Sequence, residues 1–493
     1  MKRLIQLLFL FAVPLHAQKL IDNNTLASVG KISVRPSNDL KDLLVNSLTK
    51  PGDRKTLRAA NADALGEVSD NAWFQNRHGW QRMGIEELVR GPNTSEGPSQ
   101  AAPWQILAIK SEGVTPGFRI RDARGDIYLL KFDPLKNPEM STAAEVISTK
   151  FLYAMGYNVP ENYIVRFNRD QLRIPPDSGL TEKQIDAVLK RVPKSPGGGL
   201  RAMASKFLKG KPLGPFSYYG TRPDDPNDVF PHENRRELRG LRMMAAWLNH
   251  DDSRSINTLD MLASDGDRRY VRHYLIDFGS TLGSGTSEPQ KPRAGWEYLW
   301  EPKTALVRAV TLGLVDRSWV HARYFEGPSI GKLEFERFQP GAWKPEYPNA
   351  AFSNATAGDV YWAAKIIMAF TDDDIRAIVH TGEFSDSAEE ATLVRWLIER
   401  RDKIGRYAFQ RVPSIDRFEW TPDGELKFED LASLHGFAPS PEGFDIEWSG
   451  CGQDCSRASI SPKGSHGAVR VTVRQTGDQR EIAAIERDGE GRR

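Results

Sequence analysis

An aspartate five positions ahead of an asparagine, in His250-Asp251-Asp252-Ser253-Arg254-Ser255-Ile256-Asn257, read with Asp277-Phe278-Gly279 downstream, constrains this 493-residue chain more than any other stretch. Between the two motifs, Thr258 to Leu262 and Arg269 to Ile276 are strand-like and flank Ser264-Asp265-Gly266-Asp267. That pattern predicts a β-hairpin. Closing the hairpin at its glycine turn brings Asn257 and Asp277 side by side at the open end, where a carboxamide and a carboxylate are able to share a metal ion. A helix after Pro231, with Leu238, Leu241, Ala245 and Leu248 on one face, delivers the chain to His250.

The upstream stretch has a complementary organisation. Ile106 to Ile109 reads as a short strand, Ser111 to Gly117 as a turn carrying Gly113 and Gly117, and Phe118 to Arg121 leads into the hairpin signal Arg124-Gly125-Asp126. Ile127 to Phe132 is strand-like, and Lys131 is the single charge in that apolar run. A helix follows, with Asn137 as cap, Pro138 at the first position and Glu139 in the first turn. Met140, Ala144, Ile147, Phe151 and Met155 recur at helical spacing, and Gly156 ends the run. Glu145 in mid-helix is the candidate ion-pair partner of Lys131, with Glu139 as competitor. Asn162 to Phe167 reads as a strand. An insertion then opens on the capping box Thr181-Glu182-Lys183-Gln184 and passes through the linker Pro193 to Gly199 to a strand-like Ala202 to Leu208.

A carboxylate to orient an attacking hydroxyl, followed by an amide and a second carboxylate for magnesium, are the parts that phosphoryl transfer from ATP requires. Their order here resembles the protein-kinase-like superfamily, in its divergent branch of CotH-type, HipA-type and secretory-pathway kinases. The resemblance spans roughly residues 104–410. It implies an α+β, bilobal fold with a small β-rich lobe (104–208) and a mostly helical lobe (209–410). By the same resemblance, Asp252 matches the catalytic aspartate and Arg254 the phosphate-contacting basic residue. Asn257 and Asp277 match the metal ligands. Gly113, Gly117, Lys131 and Glu145 match the phosphate-binding apparatus, and the strand with Met203, Ser205 and Phe207 falls where adenine would meet the backbone. The cofactors implied are ATP with Mg2+ or Mn2+, and the partner is a hydroxyl-bearing acceptor. There are departures. Asp251 replaces the usual arginine, no GxGxxG is present, and no Ala-Pro-Glu follows Asp277-Phe278-Gly279. A pseudokinase that only binds nucleotide, or an AMP transferase, are the alternatives on the same fold.

Charge excludes other classes. Lys+Arg and Asp+Glu number 67 and 65, so the balance predicts neither a nucleic acid nor an anionic membrane as partner. Residues 1–17 read as a cleavable signal peptide, with Lys2 and Arg3, an apolar core from Leu4 to Val13, and Leu15-His16-Ala17 before Gln18. The expected location is therefore secreted or periplasmic, with no later membrane segment. In that compartment the only cysteines, Cys451 and Cys455, are expected to pair. Residues 18–103 read as an extension packing on the core, with aromatic Trp73-Phe74. Residues 411–485 read as a small β-rich module, and 486–493 as a disordered tail. Arg400-Arg401 is expected on a solvated helix face.

Overall fold

The computed structural model describes residues 27–53, 58–111, 113–195, 197–312, 318–322, 327–464, 467–477 and 479–492. The expected signal peptide and Glu112 of the glycine turn lie outside the described residues. The chain is mixed α+β: a curled six-stranded sheet precedes a helical region, and smaller β elements close the chain.

The first sheet contains β1 (Trp104–Ile109), β2 (Gly117–Arg121), β3 (Ile127–Lys131), β4 (Asn162–Phe167), β5 (Leu172–Arg173) and β6 (Leu200–Lys206), in the order β4-β6-β3-β2-β1-β5. Alternation divides its faces. Tyr128, Leu130, Phe132, Tyr163, Val165 and Phe167 pack into one apolar cluster with Ile185 and Leu189 from the helix Glu182–Leu189. The opposite face carries Lys131, Met203 and Ile164 in register, and faces the long helix Met140–Ala154. That helix starts later than Asn137 and Pro138 predict. Glu139 takes a left-handed conformation (φ 71°) and offers no side-chain cap. The cap comes from outside the helix, since Asp133 accepts from Thr142 N at 2.9 Å and is braced by Arg201 at 3.3 Å.

The helical region is built on Arg236–Leu248, Ala357–Met368 and Ser387–Phe409, whose Trp247, Trp362 and Trp396 are fully buried. Arg400 and Arg401 are buried here too, correcting the expectation of a solvated face. Arg400 donates to the carbonyls of Trp247 (3.0 Å), Ala246 and Glu334 and stacks 3.7 Å over the Phe338 ring. The first two carbonyls belong to the last turn of Arg236–Leu248, where intrahelical partners run out; Ala246 O has besides only a 3.3 Å bond from the cap residue Asn249 N. The guanidinium thus closes the helix that leads into His250.

A second sheet joins β7 (Lys211–Gly214), β8 (Thr258–Asp265) and β9 (Arg268–Leu275). β8 and β9 form the expected hairpin, with Asp265 opposite Arg268 and Gly266 at φ 58° in the turn. The N-terminal segment wraps this sheet: Val29 N bonds Arg269 O, Arg35 N bonds Leu213 O, and Trp73 stacks on His273 at 3.5 Å. At the far end, β10 (Ile415–Trp420) and β11 (Leu426–Asp430) face a four-stranded meander, β12 (Phe444–Gly452), β13 (Cys455–Pro462), β14 (Val469–Thr476) and β15 (Gln479–Arg487). Cys451 and Cys455 are disulfide-bonded across the β12–β13 turn.

The tail expected to be disordered is docked up to its last described residue. Glu490 pairs with buried Arg236 at 3.0 Å, and its carbonyl and that of Arg492 accept from Gly358 N and Ala357 N. Its charges are drawn in because Arg236, between Asp359 and Glu490, would otherwise hold one carboxylate only. Among the described residues no helix is long and apolar enough to cross a membrane.

Removing Arg400 takes the guanidinium donors from three buried carbonyls, of which Ala246 O keeps the bond from Asn249 N, and opens a void beside Phe338. Arg400→Ala is expected to cost about 3 kcal/mol or more, read as a lowered denaturation midpoint. Arg400→Lys should recover only part, since one ammonium cannot reproduce the planar fork.

Candidate functional site

β3 ends on Lys131, and its ammonium is buried between two carboxylates. Nζ lies 2.5 Å from Glu145 Oε1 and 2.9 Å from Asp277 Oδ1. The second Glu145 oxygen accepts from Phe278 N at 2.9 Å. One carboxylate on the long helix therefore ties the strand lysine to the Asp277-Phe278-Gly279 turn. Glu139, the competing partner, points elsewhere and accepts from Ser385 N and Oγ. Burial opposes charge on Lys131, but Asp277 and Glu145 outweigh it and raise its pKa. Desolvation would raise the Asp277 carboxyl, but the adjacent Lys131 instead holds it below the usual carboxylate range. Burial raises Glu145, against the pull of Lys131.

Asp277 sits in the left-handed region at φ 61°. Aspartate is among the few L-residues that tolerate this region, and the surroundings hold it there. They do so through the fully buried Phe278 next to it and the Ile276 N bond to Asn257 O at 3.0 Å. That bond extends the β8–β9 pairing and brings Asn257 to the base of the Asp277 turn. Asn257 Nδ2 donates to Asp252 O at 2.8 Å, which leaves its Oδ1 as the acceptor.

The loop 250–257 sorts its charged groups by direction. His250 is buried against Phe278, with ring centroids 5.8 Å apart, and burial lowers its pKa to about 4, so it is neutral at pH 7. Asp251 turns inward and accepts from Ser280 Oγ at 3.0 Å and Gln290 Nε2 at 2.8 Å. Burial, with Glu346 and Asp252 nearby, pushes its carboxyl far up. Asp252 turns the other way and pairs with Arg254 Nε. Burial pushes Asp252 up to about 7, against Arg254, which pulls it down. A carboxyl poised near neutrality matches what a proton acceptor needs at pH 7. Arg254 also reaches Asp39 Oδ2 at 3.2 Å and lies 4.7 Å over the Tyr347 ring.

The structure brings together Lys131, Glu145 and Asp277 on one side, and Asp252, Arg254 and Asn257 on the other. The remaining sequence candidates are arranged differently. β6 is an inner strand paired with both β3 and β4, so the backbone groups of Met203 and Ser205 are spent in the sheet. β6 ends at Lys206, and Phe207 N still bonds Ile127 O at 2.9 Å. A base contacting free backbone would therefore meet the chain beyond Phe207; Met203 and Ser205 share the Lys131 face through their side chains. Gly117 lies opposite Lys131, where a Cβ would come within 2.2 Å of Leu130 O. Gly113 has φ 72° and stands over Lys110, whose ammonium bonds Thr115 O at 3.1 Å.

Among the described residues no group of three or more His, Cys, Asp or Glu side chains forms a cation site. A divalent ion here would rely on the amide oxygen of Asn257 and the carboxylate of Asp277. Sequence reasoning missed Asp39, Glu346 and Tyr347, which surround Arg254 from distant segments, and no local pattern marks them.

No family model matches the chain, and no curated protein matches it. Among solved structures it matches the crystal structure of a Helicobacter pylori proinflammatory kinase, CtkA, over 60% of this chain and 94% of that one, at 12% identity and a TM-score of 0.31. At that score the likeness carries no argument about activity.

Gly117→Ala is expected to destabilise the sheet by roughly 1–3 kcal/mol, because the clashing atom is backbone and cannot swing aside. Gly113→Ala meets only the tip of a lysine and should cost about 1 kcal/mol, from its left-handed φ. Urea denaturation of the two variants checks the ranking.

Proposed function

We propose that this chain is a secreted or periplasmic phosphotransferase of kinase-like chemistry. It moves the γ-phosphoryl group of ATP, with Mg2+ or Mn2+, to a hydroxyl of a protein, carbohydrate or small-molecule acceptor. The observation that carries this reading is the buried Lys131 shared by Glu145 and Asp277, beside a loop presenting Asp252 and Asn257. Four such groups at one place serve no evident packing need. The disulfide and the N-terminal pattern support an oxidising compartment.

Each residue then has a distinct task. Lys131, held charged, receives phosphate oxygens. Glu145 keeps the ammonium in place and, through Phe278 N, keeps the Asp277 turn in register with it. Asn257 and Asp277 offer an amide and a carboxylate oxygen, a donor set that suits Mg2+ when substrate phosphates and water complete its shell. When bound, the ion offsets phosphate charge. The acceptor oxygen forms a bond to the γ-phosphorus as the bond from that phosphorus to the β–γ bridging oxygen breaks. ADP leaves with the electron pair, and the hydroxyl proton passes to Asp252. Arg254 offsets the charge spread over the transferred group.

Asp252→Ala is expected to bind ATP nearly as the parent does, while turnover falls at least ~100-fold, the scale for losing a positioned proton acceptor. Single-turnover kinetics, with autophosphorylation in place of an acceptor, checks this; unimpaired turnover would remove Asp252 from the mechanism. Asp277→Ala should lose metal-dependent ATP affinity by calorimetry. ATP labelled at the α or γ position separates the alternatives. Label transferred from γ supports phosphoryl transfer, label from α means AMP transfer, and metal-dependent binding with no transfer means a nucleotide-binding module.

A further inference from the structure

The Arg254 guanidinium is held from three separate parts of the chain. On its own loop, Nε meets Asp252. From residues 346–347, Tyr347 lies beneath it at 4.7 Å and Glu346 stands 3.9 Å from Nη1. From the N-terminal segment, Asp39 Oδ2 is 3.2 Å from Nη1 and also accepts from Tyr347 OH at 3.2 Å. Asp39 and Asp252 bind different nitrogens of the guanidinium, so they do not compete for one donor. Together they fix its plane and the direction of Nη2.

A neighbouring carboxylate on the same helical turn adds a second tie. Asp42 Oδ2 accepts from Ser255 N at 3.2 Å, and Asp42 is itself gripped by Asn46 Nδ2 at 2.8 Å. The segment carrying both aspartates is fastened on either side. Upstream, Ser33 N donates to Asp224 at 2.8 Å and Arg35 N to Leu213 O at 2.8 Å. Downstream, Asp53 N donates to Glu233 Oε1 at 2.7 Å. The Asp39 side chain remains 37% exposed. A partly solvated pair of this kind contributes little to stability, so its evident consequence is geometric.

We propose that Asp39 is a positioning residue of the phosphotransfer site: the N-terminal segment completes the loop 250–257 by orienting Arg254 toward the transferred group. This rests on the phosphotransfer reading above. Asp39 touches no reacting atom in this scheme and acts through Arg254. Its loss therefore lowers turnover without weakening nucleotide binding, and has nothing further to remove once Arg254 is gone.

The test is a double-mutant cycle on the full-length exported protein, with ATP turnover as readout and thermal melting as the control for folding. Asp39→Ala is expected to lower kcat about 10-fold, a modest cost for a misplaced charged group, with KM for ATP within about twofold of the parent. Asp39→Asn, which keeps the shape and one acceptor oxygen, should recover part of the loss. Asp39→Ala combined with Arg254→Ala should be no slower than Arg254→Ala alone. Unchanged or faster turnover in Asp39→Ala overturns the proposal, the faster case meaning that the segment restrains the loop. Losses that simply add in the double variant also overturn it, since Asp39 then acts independently of Arg254. In each of these cases the parent still turns over ATP, so the phosphotransfer reading survives. A folded parent protein without turnover overturns both.

Discussion

The Glu145 carboxylate joins three segments on which the site depends: the end of a strand, the middle of a helix, and a turn 133 residues downstream. One oxygen takes the Lys131 ammonium and the other takes the Phe278 amide. Burying such charges is costly, and well-packed apolar residues in their place are often at least as stable. What the arrangement secures is register between the end of a strand, the middle of a helix and a turn in a left-handed conformation. The sheet and the helical region each have their own apolar core; the helix Met140–Ala154 contributes Ala143, Ile147 and Phe151 to the second while presenting Glu145 toward the first sheet. The position of the lysine relative to the loop 250–257 follows from that shared helix.

Much of this was legible in the residues. The hairpin between Asn257 and Asp277 announces itself by alternation and by Gly266, both local signals. The residues offered Glu145 and Glu139 as rival partners of Lys131, and the choice came only with the structure, in which Glu139 precedes the helix and bonds Ser385 instead. The disulfide between Cys451 and Cys455 was expected from the count of cysteines and the expectation of export. The hairpin and the disulfide both depend on spacings of a few residues.

What was not legible depends on partners far away in the chain. The start of the helix at Met140 is decided by Asp133 and Arg201, against the better local cap at Asn137. Arg400 and Arg401 look solvated because arginine usually is, yet the open carbonyls at the end of Arg236–Leu248 and of the segment at Phe370 draw them inward. The strand with Met203 and Ser205 was expected where adenine would meet the backbone, but as an inner strand paired with both β3 and β4 it spends its backbone groups in the sheet. The docked tail and Asp39 belong to the same class, in which a charge finds its complement only after the intervening chain has folded.

The ion pair between Glu490 and Arg236 has a consequence in time. Arg236 opens the helix that ends at the loop 250–257, and Glu490 lies near the end of the chain. A chain synthesised from its N-terminus cannot form that contact until Glu490 has emerged, 254 residues after Arg236. Contacts between such distant residues also carry a large loop-closure cost and form slowly. The helix therefore has Asp359 within reach first, and acquires Glu490 only after β10 to β15, which lie between the two, have been made. A chain that stops short of Glu490 leaves Arg236 one carboxylate short, at the root of the same helix that carries the loop 250–257 at its other end.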